Sequence, residues 1–96
     1  MFVVRDVFQL QFGKARQARE ALEGFSSLGE GNEGPSRILT DFTGPSYRLI
    51  MEMEFESLAD YEERLTSIMS TDEWREVYGK FVPYVESSYR EILRTV

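Results

Sequence analysis

The sequence contains no cysteine and no histidine. Without cysteine the chain has no disulfide, no thiolate nucleophile and no cysteine-based zinc site. Without histidine it has no Ser-His-Asp or Cys-His catalytic centre, and it lacks the commonest metal ligand and the usual haem anchor. Carboxylates and tyrosines are the titratable groups left for general-base chemistry. We therefore predict neither a metal nor a cofactor.

A basic surface and a long apolar run are also missing. Seventeen Asp and Glu residues outnumber 11 Lys and Arg residues, which gives a net charge of −6. This balance argues against nucleic acid and against an anionic membrane as partners. No apolar run approaches the length of a membrane span, and Arg5 and Asp6 interrupt the region that a signal peptide would need to be apolar. We predict a cytoplasmic protein.

The residues that are present suffice for a packed core. The 96 residues are 42% hydrophobic and 14% aromatic, which predicts one domain over residues 1–96. A domain of this size buries a smaller share of its surface than a large one does, so a partner subunit would stabilise it.

Alternation of apolar and polar residues predicts four strands, over residues 2–12, on both sides of a Gly44–Pro45 corner within 38–57, and over 87–96. Helical periodicity separates them. The first helix has a narrow apolar stripe of Ala15, Ala18, Leu22 and Phe25.

Capping signals predict where the later helices begin. Ser57 followed by Asp60, and Ser70 followed by Glu73, are typical of helix starts. Gly29 is a natural stop for the first helix, and the glycine-rich segment 29–36 is interpreted as a surface connection. At the Gly44–Pro45 corner, a longer loop and a cis Gly-Pro bond both remain possible.

The order of elements predicts an α+β fold of the ferredoxin-like βαββαβ type. Its four-stranded antiparallel sheet would have the strand order 4-1-3-2, with the helices on one face. The opposite face mixes apolar and charged side chains: Val3, Val7, Ile50, Arg5, Gln9, Arg48, Glu52 and Glu54. Water alone favours a cleaner polar face. We therefore expect this face to meet a second sheet around a small polar cavity.

The whole chain resembles the dimeric α+β barrel superfamily, and within it the small bacterial proteins related to the NIPSNAP domain. The resemblance lies in the corner at residues 40–45, in "LIMEMEFESLADYE" at 49–62 and in "DEWREVYGKFVPYVESSYREI" at 72–92. It implies a homodimer in which two sheets close a dimeric α+β barrel. More distant relatives include cofactor-free antibiotic-biosynthesis monooxygenases and lactone isomerases. Haem-binding relatives differ from this chain, which has no histidine ligand.

Seven residues are candidates for lining a pocket inside the barrel. They are Arg5, Gln9, Asp41, Arg48, Glu52, Tyr78 and Tyr84. Arg48 and Glu52 either bind a polar substrate or form ion pairs that fix the register between subunits. Arg5 either binds an anion or joins that network. Asp41 acts as a general base or hydrogen-bonds the backbone of the turn, and the second role is the more usual one.

Aromatic residues in the third helix have two interpretations. Trp74 and Phe81 fit the core, whereas Tyr78 and Tyr84 either pack there too or face a flat organic ligand. Two functions follow from these alternatives. The first is a homodimer that binds or transforms a small organic molecule in the barrel, with monooxygenase or isomerase chemistry suggested by analogy only. The second is a non-catalytic homodimeric interaction or accessory module.

Overall fold

A computed structural model describes residues 1–23 and 37–96 of the chain. In order, its elements are β1 (Phe2–Leu10), α1 (Ala15–Leu22), β2 (Arg37–Thr40), β3 (Arg48–Phe55), α2 (Leu58–Met69), α3 (Asp72–Phe81), a 3₁₀ turn (Val82–Tyr84) and β4 (Val85–Arg94). The strands of this part of the chain form one antiparallel sheet in the order β2-β3-β1-β4. The predicted ferredoxin-like fold and its strand order are confirmed.

Capping signals predicted the starts of α2 and α3, and only the predicted cap of α2 is confirmed. The Ser57 hydroxyl accepts a hydrogen bond from the Asp60 amide at 3.1 Å, as predicted. The prediction that Ser70 caps α3 was wrong. Ser70 has helical backbone angles and ends α2, whereas Thr71 is extended and its hydroxyl accepts from the Trp74 amide at 3.2 Å. An N-cap needs the extended conformation, and only Thr71 has it.

The core lies between the helices and one face of the sheet. Phe8 meets Phe81 edge to face with 4.9 Å between the ring centres, and Phe81 is fully buried. This main cluster contains Phe8, Leu10, Ala18, Leu22, Leu49, Met51 and Phe81. A second cluster joins Val4, Phe55 and Tyr61 beneath α2. Both clusters use the even-numbered residues of β1 and the odd-numbered residues of β3, so the helices cover that face.

Several predicted boundaries shift by a few residues. β1 ends at Leu10, and β4 begins at Val85. Phe25, Gly29 and the segment 29–36 lie outside the described residues. No helix within residues 1–23 and 37–96 is long and apolar enough to cross a membrane. The cytoplasmic location stays a prediction.

The corner between β2 and β3 is a long loop over residues 41–47. All peptide bonds of the described chain are trans, so the longer loop is the correct alternative of the two. Gly44, Ser46 and Tyr47 all have positive φ angles, of 136°, 76° and 56°. Two consecutive residues other than glycine in this region are uncommon, and surrounding contacts must hold them there.

Candidate functional site

The face of the sheet opposite the helices, called here the uncovered face, is organised in rows that run across the strands. The ionic row is Arg37, Glu52, Arg5 and Glu91. The apolar row is Leu39, Ile50, Val7 and Tyr89. The polar end consists of Arg48, Gln9 and Ser87, with Asp41 directly after β2. Each row takes one residue from each strand or its end, because residues paired across antiparallel strands point to the same side.

The ionic row holds a carboxylate between two arginines. Arg5 Nε donates to Glu52 Oε2 at 2.8 Å, and Arg37 Nε donates to Glu52 Oε1 at 2.9 Å. Glu52 is only 3% exposed. Its hydrogen bonds to Arg37 and Arg5 hold the pKa of this carboxyl below its usual value. Arg5 also reaches Glu91, with 3.7 Å between Nη1 and Oε1.

The polar end contains a second ion pair. Arg48 Nη2 donates to Asp41 Oδ1 at 2.9 Å, and the Arg48 backbone amide donates to Asp41 Oδ2 at 3.1 Å. Asp41 thus accepts a hydrogen bond from the backbone where the corner loop joins β3, which agrees with the more usual of its two predicted roles. The Arg48 side chain lowers the pKa of Asp41, and Asp41 raises the pKa of Arg48.

The corner loop is fastened to the polar end. Gln9 Nε2 donates to the Ser46 carbonyl at 3.0 Å, and the Leu10 amide donates to the Tyr47 carbonyl at 2.7 Å. The φ angle of Gly44 favours glycine, and a Cβ there would also crowd Asp41, since it would lie 3.1 Å from Oδ1. The loop is thus shaped around the Asp41 carboxylate.

The apolar row is buried at its centre and open at its ends. Val7 is 4% exposed, whereas Tyr89 is 58% and Leu39 is 36% exposed. Ile50 is half-buried. The row therefore presents apolar surface to the outside between two rows of paired charges.

Five of the seven predicted pocket residues come together on this face. Arg5, Gln9, Asp41, Arg48 and Glu52 all belong to the ionic row or the polar end. Arg48 and Glu52 do not pair with each other; each has its partner elsewhere on the face.

The structure does not bring Tyr78 and Tyr84 to the uncovered face. Both pack against the main core cluster on the helix side, and Tyr78 stacks on Trp74 with 4.6 Å between ring centres. The reason is that α3 covers the opposite face of the sheet. These two tyrosines therefore pack against the core, which is one of the two positions that the sequence allowed for them.

Sequence reasoning missed Arg37 and Glu91, which complete the ionic row. Arg37 directly precedes the predicted hairpin, and β4 showed no clearly apolar face from which the side of Glu91 could be assigned. It also missed a polar cluster under the helices. Asp6 pairs with Arg90, and Arg90 Nη1 donates to the Tyr61 hydroxyl at 2.6 Å. The break that Asp6 makes in the apolar side of β1 was the available signal.

A groove of about 450 Å³ lies between α2 and the end of β3. Its lining includes Glu54, Glu56, Asp60, Glu63 and Arg64. The Arg64 guanidinium sits over the Phe55 ring at 4.9 Å from its centre. Within the described residues, no group of carboxylates is arranged to hold a metal ion.

The strand order, the helices on one face and the two-sided sheet define a ferredoxin-like α+β domain. The sequence profile of the NIPSNAP family matches residues 7–96 of the chain. The protein belongs to the NIPSNAP family. A comparison with curated proteins found no match.

Solved structures share the fold at low sequence identity. A NIPSNAP family protein from Agrobacterium tumefaciens is 18% identical with a TM-score of 0.89, over 99% of this chain and 92% of that one. A NIPSNAP-like domain protein from Burkholderia xenovorans is also 18% identical, with a TM-score of 0.88 over 99% and 84%. A candidate antibiotic biosynthesis monooxygenase from Nitrosomonas europaea is 14% identical, with a TM-score of 0.73 over 100% and 99%.

Proposed function

We propose that the protein is a homodimer in which two uncovered faces pack together, and that it binds a small organic molecule between their polar ends. The observation that carries this proposal is the apolar row exposed between two rows of paired charges. Packing of two sheets at roughly 10 Å would bury the exposed parts of this row.

The ion pairs make the face suitable for a dry contact. Burying an unpaired charge costs far more than an apolar contact returns. On this face Glu52 has Arg5 and Arg37, and Arg48 has Asp41, within the same chain. A second sheet can therefore pack on this face without leaving any of these charges unpaired.

The two most buried carboxylates of the face favour binding over catalysis. A general base works best when its pKa lies near the working pH. Arginines hold the pKa of Asp41 and the pKa of Glu52 below their usual values, which moves both groups away from that range. Monooxygenase or isomerase chemistry therefore rests on fold analogy alone.

The second candidate is a homodimeric accessory module that takes no ligand. The observation in its favour is that Arg48 and Glu52 are already paired within their own chain. Such pairs need no ligand to satisfy them.

Two neighbouring residues of β2 provide a matched test of the dimer. Leu39 belongs to the apolar row and is 36% exposed, whereas Ile38 points to the helix side and is 49% exposed. We expect light scattering to give twice the chain mass of 11.2 kDa for the wild type and for Ile38→Asp. Leu39→Asp should give the single-chain mass, because it places a charge in the contact. A wild type that is monomeric at micromolar concentration, or equal behaviour of both variants, would contradict the proposal.

The ligand is tested separately by amide NMR shifts on adding 2-acetylnaphthalene to the dimer. The binding proposal predicts shifts in the apolar row and the polar end. The accessory module predicts a dimer with no such shifts.

A further inference from the structure

We infer that the molecule bound at the polar end carries no net charge, and that Asp41 sets this selectivity by acting as the built-in counter-ion of Arg48. This inference rests on the proposed binding site between the two faces. It names the chemical class of the ligand: an apolar body with one hydrogen-bond acceptor, such as a ketone or a phenol.

The charges of the ionic row and of the polar end balance within the chain. The ionic row contains two arginines and two glutamates, which contact one another across the strands. At the polar end, Arg48 is matched by Asp41. A carboxylate or phosphate would therefore meet guanidinium groups that already have a counter-charge, and it would lose its own hydration on entering.

Arg48 has more hydrogen-bond donors than Asp41 uses. The edge of Arg48 that carries Nε and Nη2 faces Asp41. Its Nη1 group makes no hydrogen bond to any described residue, and the Arg48 side chain is 31% exposed. The row of Arg48 adjoins the apolar row in the sheet, so this N–H group suits a carbonyl or hydroxyl oxygen whose apolar body lies on Ile50 and Leu39.

A ligand cannot easily displace Asp41 from Arg48. Its side chain is only 8% exposed, and it also accepts a hydrogen bond from the Arg48 backbone amide. The corner loop closes around it at Gly44, where even a Cβ would come within 3.1 Å of Oδ1. An anion would have to compete with this fixed carboxylate for the same guanidinium.

The experiment compares two probes on three proteins. The probes 2-acetylnaphthalene and 2-naphthoate share one ring system and differ in charge. The proteins are the wild type, Asp41→Asn, and the control Asp72→Asn, which removes the same charge from a side chain that is 96% exposed beside Arg75 on α3. Affinities are measured by amide NMR titration, and light scattering follows the dimer.

We expect the wild type and Asp72→Asn to bind the ketone at least about tenfold more tightly than the naphthoate. Asp41→Asn should gain naphthoate affinity by about tenfold, since Arg48 would then have a charge-assisted hydrogen bond to offer. The readout is the ratio of naphthoate affinity to ketone affinity, which should rise in Asp41→Asn and stay at the wild-type value in Asp72→Asn.

The outcomes separate this inference from the proposed function. A wild-type dimer that binds both probes equally overturns the inference and leaves the binding site standing, and this comparison does not depend on any variant folding. A folded Asp41→Asn dimer with an unchanged ratio of the two affinities overturns the role of Asp41. A wild type that is monomeric, or a dimer that binds neither probe, overturns the proposed function together with the inference.

Discussion

Asp6 and Glu52 are both buried carboxylates on central strands of the sheet, but they lie on opposite faces. Asp6 is 8% exposed and Glu52 is 3% exposed. Asp6 lies beneath α2 beside the cluster of Val4, Phe55 and Tyr61, and Arg90 links it to the Tyr61 hydroxyl. Glu52 has no described helix above it, and its cover includes the side chains of Arg5 and Arg37.

Similar exposure of the two carboxylates therefore comes from two physical arrangements. A helix packed on a core cannot move aside without losing apolar contacts, so a charge beneath it is held in a fixed surrounding. Glu52 is covered instead by the side chains of arginines. These side chains are flexible, and their guanidinium groups can return to water. We therefore expect Asp6 to depend strongly on its partner and Glu52 to tolerate the loss of one.

The largest expected effect is that of Arg90→Met. The change leaves Asp6 without its arginine beneath α2 and takes a donor from Tyr61, whose hydroxyl pKa is raised by burial. Asp6 is buried but the Arg90 side chain is 43% exposed, so the loss of this pair should lower the free energy of unfolding by about 2–3 kcal/mol. Urea denaturation measures it.

The matched change on the other face is Arg37→Met. The Arg37 side chain is 64% exposed, and Arg5 remains bound to Glu52. The loss should be no more than about 1 kcal/mol. Equal losses for the two variants would show that the two faces hold their charges alike and would break the comparison.

Two glycines should differ in the sign of their effect, and both effects should be smaller than that of Arg90→Met. Gly44→Ala forces a side chain into positive φ and against Asp41, so it should lower the free energy of unfolding by about 2 kcal/mol. Gly79→Ala lies within α3, where an added Cβ has nothing within 4 Å, and it should raise the same quantity by about 0.5–1 kcal/mol. Thermal unfolding of both variants measures these changes. A stabilised Gly44→Ala variant would show that the φ angle of Gly44 and its contact with Asp41 do not require glycine.

The effect of Glu52→Gln should depend on pH. The folded-state pKa of Glu52 lies below its usual value of 4.5, so the ionised carboxylate stabilises the folded protein above pH 4.5. This stabilisation is lost as the pH falls through the folded-state pKa. The variant should therefore be about 1 kcal/mol less stable than wild type at neutral pH, and the gap should close on acidification below pH 4.5.

Glu62→Gln is the control for this pH series, because Glu62 is exposed on α2. It should follow the wild type at every pH. A gap for Glu52→Gln that stays constant down to low pH would mean that the carboxylate is not what Arg5 and Arg37 stabilise.

The fold could be predicted from the sequence because it depends on periodicity. Alternation in residues 2–12 and 38–57 assigned the two faces of the sheet, and the Ser57 signal placed the start of α2. The cap of α3 could not be assigned in the same way. Ser70 and Thr71 are adjacent cap-forming residues, and the choice depends on how far α2 continues.

The candidate site could be predicted by face but not by partner. Alternation placed Arg5, Arg48 and Glu52 on one side, yet it could not say which charges touch, because that depends on how β1 and β2 pair with β3. Arg37 enters the network only through the pairing of β2 with β3. Tyr78 and Tyr84 could not be placed from the sequence, because their position depends on which face of the sheet α3 and the following turn cover.

The ionic row has a consequence for how β2 finds its place during folding. This strand has four residues, so its backbone alone specifies alignment weakly. If it slipped by two residues along β3, each side chain would keep its face, but Leu39 would stand beside Glu52 or Arg37 beside Ile50. Either misalignment separates the buried Glu52 from Arg37. The ion pair between them therefore favours the correct alignment of the short edge strand.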